Sequence, residues 1–327
     1  MADTRLVKDW IKAEAARLGF VQCGVTHPNP PEHFTRYEQW LAAGRHAEMA
    51  YLARQDALQA RLRPRQLMET CHSILVLAYP YAPPAVVQPQ RYPQGRIAAY
   101  ALGADYHRSL PDLCEQLIGG CTAIFGSLGE VRIFTDSAPI LERELASRAG
   151  LGWIGKNGCL IHPHHGSYFL LVEVFLEIEL PPDAPFAPDR CGTCRRCVDA
   201  CPTGCILPDR SLDAGRCIAY LTIEKRGEAP VELRGLLAEW EFGCDICQIV
   251  CPWNRKSRPI PQFQTLLPST IPLEELLRLT PADFTARFRP TPVERTPYRG
   301  LLRNALIAAG NAGAESLLPL LERYISS

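Results

Sequence analysis

Nine of the fourteen cysteines lie between positions 191 and 251, and their spacing is one that holds iron. Cys191, Cys194, Cys197 and Cys201 follow C-x2-C-x2-C-x3-C, with Pro202 next, and Cys244, Cys247 and Cys251 follow C-x2-C-x3-C, with Pro252 next. The first run is the spacing of thiolates on a [4Fe–4S] cubane, the fourth Cys crossing to a second cluster. Short x2 loops curl three sulfurs round one corner of the cube, and the proline leads the chain away. The second run is one ligand short, because Glu241 stands where a complete copy has Cys. Cys217, between the runs, can fill that place. Crossing the fourth ligands puts Cys191, Cys194, Cys197 and Cys251 on one cluster and Cys201, Cys217, Cys244 and Cys247 on the other. A pair of zinc sites is the rival reading, since C-x2-C pairs also bind zinc. Four cysteines within eleven residues suit a cubane better than a tetrahedral ion. Cys205 is left over as filler near the cluster, and Cys23, Cys71, Cys114, Cys121 and Cys159 read as apolar core residues. Thiols kept for iron imply a reducing, cytoplasmic setting.

Two clusters are an electron wire, so the 190 residues ahead of Cys191 must build a site that receives the electrons. A short strand over 131–134 delivers Asp136 to a strand–helix junction, where α/β sheets meet their ligands. The competing reading is that Asp136 or Ser137 only caps the helix that begins near Pro139. His107, beside Tyr106, is either a hydrogen-bonded core histidine or a catalyst.

The elements that position these residues follow from hydrophobic periodicity. Residues 5–18 place Leu6, Val7, Trp10, Ile11, Ala15 and Leu18 on one helical face, Gly19 stops that helix, and 20–25 is a strand. A helix runs through Trp40 and Leu41, and the continuous apolar run 73–79 is a buried strand. The Pro-rich loop 80–93 is long enough to cover something functional. Helices follow over 109–125 and from Glu142 to Ala149. Gly150-x-Gly152-x-x-Gly155 matches a dinucleotide fingerprint, but it follows a helix and leads into strand through Leu180, so the context test fails. It reads as a turn, or as backbone approaching a large planar ligand. Pro181, Pro182, Pro185 and Pro188 make a stiff linker. Between 286 and 303 five arginines (287, 289, 295, 299, 303) face one acid, Glu294. Residues 301–325 give two amphipathic helices broken at 310–313, one repeat of a helical solenoid that must dock on the preceding domain.

With 327 residues, 47% of them hydrophobic, the chain can form two or three units. Its 35 basic and 35 acidic residues balance, so net charge does not advertise a nucleic-acid partner. Residues 1–20 lack an apolar signal core, and no run of about eighteen apolar residues exists, so neither export nor a membrane span is expected.

Asp105-Tyr106-His107, the stretch from Asp136 through Pro139 to Glu142-Arg143, and Ala149 through Trp153 to Lys156-Asn157 resemble the epoxyqueuosine reductase family. So do residues 216–224, residues 242–254 and the tail 302–311. The resemblance implies an α+β fold. An N-terminal cobalamin-binding α/β domain spans 1–182, a ferredoxin-like two-[4Fe–4S] domain spans 183–262, and a short HEAT-like region spans 263–327. It implies reduction of epoxyqueuosine to queuosine at the wobble position of tRNAs with a GUN-type anticodon, the last step of queuosine biosynthesis. Cobalamin and the two clusters carry the chemistry, fed by an external one-electron donor, in a monomeric cytoplasmic enzyme. Asp136 becomes the proton donor, its pKa raised beside an apolar corrin face. Arg61, Asp136, Lys156 and Asp245 become cobalamin contacts, although Arg61 and Lys156 read equally well as solvated charges. Lys225, Arg226, Arg303, the 255–258 basic run and the 287–303 arginines would meet tRNA phosphates, if they are not an ordinary charged surface. Two rivals remain: a corrinoid reductive dehalogenase acting on a small molecule, and a ferredoxin-type electron-transfer protein. The first is usually exported, and the second leaves Asp136 and the upstream residues unexplained.

Overall fold

The computed structural model describes residues 3–84, 93–256 and 264–325. Most of the Pro-rich loop, together with Ser257 and Arg258 of the basic run, lies outside the described residues. The strands, in chain order, are β1 (Gln22–Thr26), β2 (Ser73–Pro80), β3 (Gln94–Ile97), β4 (Val131–Phe134), β5 (Trp153–Ile154), β6 (Leu160–Ile161), β7 (Phe169–Leu176), β8 (Trp240–Phe242) and β9 (Thr270–Pro272).

The main sheet runs β1-β2-β7-β4 and is antiparallel throughout. β2 is apolar at nearly every position because both faces are covered. Leu75 and Leu77 pack with Val7, Ile11, Leu110 and Leu117 of the helices Thr4–Arg17 and Tyr106–Phe125. Ile74, Val76 and Ala78 pack with Leu145 and Ala146 of the helix Glu142–Arg148. Burial on two faces, rather than parallel pairing, accounts for the unbroken run. The first helix buries Val7, Ile11 and Ala15, but Leu6, expected on the same face, is 60% exposed. Gly19 ends that helix at φ 98° as its place suggested.

The long strand expected over 168–180 is present but ends at Leu176, and the stretch from Gly158 expected to lead into it is divided. β5 and β6 form a small hairpin, a tight turn pairs His162 with Gly166, and β7 starts at Phe169. Gly152 serves close approach: a Cβ there would sit 2.2 Å from the Ile161 carbonyl oxygen. The linker after β7 is anchored, since Asp183 pairs with Lys8 and Lys12 and accepts the Val25 N–H.

The second sheet, β8-β3-β9, sets β3 from the first third of the chain between β8 and β9 from the last third. Its core joins Ile97, Leu102, Phe242 and Ile271 to Leu276, Phe284, Phe288, Leu301 and Ala305. The last two helices, Tyr298–Ala312 and Leu318–Ile325, dock on this core as expected. The break between them comes at Gly313, which is left-handed, because Gly310 and Asn311 stay helical. The architecture is mixed α+β. Among the described residues no helix is long and apolar enough to cross a membrane.

Candidate active site and cluster pockets

β4 ends at Phe134, Thr135 is held through its hydroxyl to the Leu171 carbonyl, and the chain then turns at Asp136 with φ 54°. A non-glycine residue in the left-handed region carries backbone strain and is worth a reason. Here the turn presents the carboxylate, still 44% exposed, to Tyr106, His107 and Arg295. Asp136 Oδ2 accepts from the Tyr106 hydroxyl at 2.8 Å and from Arg295 Nη1 at 2.5 Å, with His107 Nε2 at 3.5 Å. Behind His107, its Nδ1 lies 2.7 Å from Asp105 Oδ1, which also caps the helix by accepting the His107 N–H. The rings of Tyr106 and His107 stack with centroids 4.1 Å apart.

The capping alternative fails, because the helix Glu142–Arg148 starts after Leu141 with no side-chain cap. The expected rise in the Asp136 pKa also fails. Burial works to raise it, but the hydrogen bond with His107 and the charge of Arg295 outweigh burial and bring it to about 2. For His107 burial works downward, and its bonds to Asp105 and Asp136 lift it to about 9. At neutral pH the site therefore holds an aspartate against an imidazolium and a guanidinium. Arg295, expected on a phosphate-binding surface, is instead committed to Asp136 and lies 3.6 Å from Glu224. Half-exposed Tyr51 lies close enough to feel the charges of Glu224, Arg295 and Asp136.

Cys191, Cys194, Cys197 and Cys251 line one cavity, walled by Ile161, Trp253 and Lys156. Trp153 Nε1–H donates to Cys191 Sγ at 3.5 Å. Lys156 donates to the Gly192 and Cys194 carbonyls at 2.7 and 3.0 Å, so it straps the first cysteine turn. That use differs from both a corrin contact and a solvated charge. Cys201, Cys217, Cys244 and Cys247 form a second neighbourhood of mutually interacting thiols. Cys205 sits in it, 3.5 Å from Cys201 Sγ and against Cys217. Cys159, expected in an apolar core, lies against Cys247 instead. Cys71, Cys114 and Cys121 are the core residues they were expected to be, and Cys23 packs at the edge of the core. Among the described residues, no group of three or more His, Cys, Asp and Glu side chains is arranged round a single metal ion.

Asp245, next to Cys244, is 1% exposed; its Oδ2 accepts the Ala99 N–H at 2.8 Å while its Oδ1 has no hydrogen-bond partner. Burial raises its pKa to about 6. Asn157 is buried with Nδ2 unpartnered. Arg61 is also buried, stacked over Tyr37 at 5.3 Å and bonded to the Ala57 carbonyl, so it is not a solvated charge. Of the basic residues, Lys225 pairs with Glu48, Arg287 with Glu275 and Arg289 with Glu294. Arg303 spends its guanidinium on the carbonyls of Leu221, Lys225 and Gly227, a structural use in place of the expected phosphate contact. Arg226, Arg255 and Arg299 remain exposed.

Comparison with known proteins decides the family. Residues 61–137 match a family model described as epoxyqueuosine reductase QueG, DUF1730, and residues 190–254 match one described as a 4Fe-4S double cluster binding domain. The chain is 40% identical over 322 residues to the epoxyqueuosine reductase of Pseudomonas aeruginosa, covering 97% of this chain and 87% of that one. The chain belongs to the epoxyqueuosine reductase family. The solved epoxyqueuosine reductase of Streptococcus thermophilus superposes with a TM-score of 0.87 at 29% identity, over 97% of this chain and 84% of that one. A structure of an epoxyqueuosine reductase with a tRNA-Tyr epoxyqueuosine-modified stem loop superposes with a TM-score of 0.85 at 26% identity, over 98% and 85%. Epoxyqueuosine reduction is this chain's activity, and two [4Fe–4S] clusters and cobalamin are its cofactors. The residues present fit both. Eight thiols gather in two groups, and the unpartnered Asp245 Oδ1 suits the amide rim of a corrin, which offers both donors and acceptors, while Asn157 lines the first cysteine cavity.

Proposed function

We propose that the chain reduces epoxyqueuosine at the wobble position of a GUN-anticodon tRNA, with Asp136 delivering the proton that the opened epoxide oxygen takes. The reading of a tRNA substrate is supported by the likeness to the stem-loop structure. Converting the epoxide to an alkene consumes two electrons and two protons and releases water. Cobalamin, when bound, would supply the cobalt chemistry at carbon, and the two clusters would supply the electrons, drawn from an external donor. Cys191, Cys194, Cys197 and Cys251 hold one cluster, and Cys201, Cys217, Cys244 and Cys247 the other. Asp245 would meet the corrin amides, with Arg61 and Asn157 as further candidate contacts.

The observation that carries the reading is the convergence of Tyr106, His107 and Arg295 on Asp136. As an ionised group Asp136 holds no proton to donate, so His107, protonated and backed by Asp105, is the proton's source, and Asp136 relays it only as the substrate oxygen takes it. Negative charge arriving on the substrate oxygen draws Arg295 and lets the His107 proton cross Asp136 to that oxygen, and solvent supplies the second proton as the oxygen leaves as water. In this proposal the cobalamin domain is 1–182, the ferredoxin-like domain 183–262, and the HEAT-like region 263–327. The enzyme works as a cytoplasmic monomer. Asp136→Asn should lower turnover of an epoxyqueuosine stem loop by about 10²–10⁴-fold, with iron content and cobalamin binding unchanged. Normal turnover by that variant would remove Asp136 from the role.

A further inference from the structure

β7 carries one charged residue in an otherwise apolar strand, Glu173. It lies opposite Val76 of β2 and Phe134 of β4, in the middle of the main sheet, and its exposure is zero. Neither carboxyl oxygen has a well-formed hydrogen bond from a described residue. An unpaired ionised carboxylate cannot stay in such a place, so Glu173 holds a proton. The carboxyl nearest it is Glu142, in the first turn of the helix Glu142–Arg148. Glu142 Oε1 in turn accepts the Asp136 N–H at 2.6 Å.

We propose that Glu142 latches the Asp136 turn in its working shape by accepting the Asp136 N–H, with neutral Glu173 as the buried acid behind it. The chain of contacts runs from the sheet interior to the site: Glu173 lies beside Glu142, Glu142 bonds the backbone of Asp136, and the side chain of Asp136 meets His107. The latch has a strained joint to hold, since residue 136 sits at φ 54° without being glycine. Released, residue 136 relaxes to an extended conformation and its carboxylate turns away from His107. What the latch needs from residue 142 is an acceptor oxygen for that N–H, which a carboxyl or an amide supplies. The groups round Glu142 are Asp136, Arg143 and Glu173; those round Glu173 are Glu142 and Asp136. Burial, then the charges facing each group, push both carboxyl pKa values up, Glu142 to about 7. Glu142 is thus a positioning residue, acting through the backbone of Asp136.

The effect on turnover rests on the role proposed for Asp136; the structural readout does not. Hydrogen exchange of the peptide over 135–141, measured by mass spectrometry on the cluster- and cobalamin-loaded protein, reads the latch directly. Glu142→Ala should speed exchange there at least tenfold, and should lower kcat on an epoxyqueuosine stem loop at least tenfold with KM within twofold. Glu142→Gln keeps an acceptor oxygen and should stay within threefold of the parent protein in both. Unchanged exchange in Glu142→Ala, or equal loss of protection in Glu142→Gln, overturns the latch. Faster exchange with undiminished turnover keeps the latch and overturns the role of Asp136.

Discussion

At the scale of single residues the site is a stack of opposed pKa shifts. His107 lies above its ordinary value and Asp136 below its own, so each stabilises the other's charge. The signs set a window. A raised histidine contributes stability below its ordinary pKa and loses it as pH rises through about 9. A depressed aspartate contributes above its ordinary pKa and loses it as pH falls toward about 2. Between those limits the charged pair persists. If His107 is the proton's source, kcat/KM should fall as pH climbs past about 9, and His107→Gln should abolish that limb while lowering kcat about 10²-fold. A pH profile unchanged by His107→Gln would exclude that role.

At the scale of elements, the cysteine runs hold almost no regular structure of their own. Their helices, Arg196–Ala200 and Ile246–Ile249, are too short to persist alone. They are fixed by neighbours: Lys156 straps the first turn, and Asn254 bonds Ser167 and the Gln248 carbonyl beneath the second. Crossed ligation makes a sharp expectation. Cys251→Ala and Cys194→Ala should each leave about four irons and should leave the same cluster, with matching electron paramagnetic resonance spectra. Cys247→Ala should leave the other cluster and a different spectrum. Matching spectra for Cys251→Ala and Cys247→Ala would mean the ligands do not cross.

At the scale of the whole molecule, the C-terminal region reaches back to the site. Arg295 meets Asp136 across 159 residues of sequence, and the β8-β3-β9 sheet places β3, from the first third of the chain, between two strands from the last third. The basic tail divides by use. Arg303 bonds carbonyls at the end of the helix Ile218–Ile223, so Arg303→Ala should lower the unfolding free energy by about 1–3 kcal/mol, read by denaturant titration. Arg226 and Arg299 are exposed nearby. Replacing both should leave stability intact and reduce the salt dependence of stem-loop binding by about one or two phosphate contacts. An unchanged salt slope would place the tRNA elsewhere on the surface.

The cysteine spacing, the burial of β2 and the junction that carries Asp136 were legible in the amino-acid sequence, because each depends on residues within a few positions of one another. The charge state of Asp136 was not. It depends on Arg295 and His107, which only chain packing brings to it, and these reverse the shift that burial alone would cause. Glu173 left a trace, a lone acid in an apolar strand, but its partner comes from a different element. Arg303 and Lys156 looked like free cations because nothing local announces the carbonyls that occupy them. Local order thus settled which ligands and elements exist. Tertiary contact settled their protonation and their use, since electrostatic effects follow distance in space rather than along the chain.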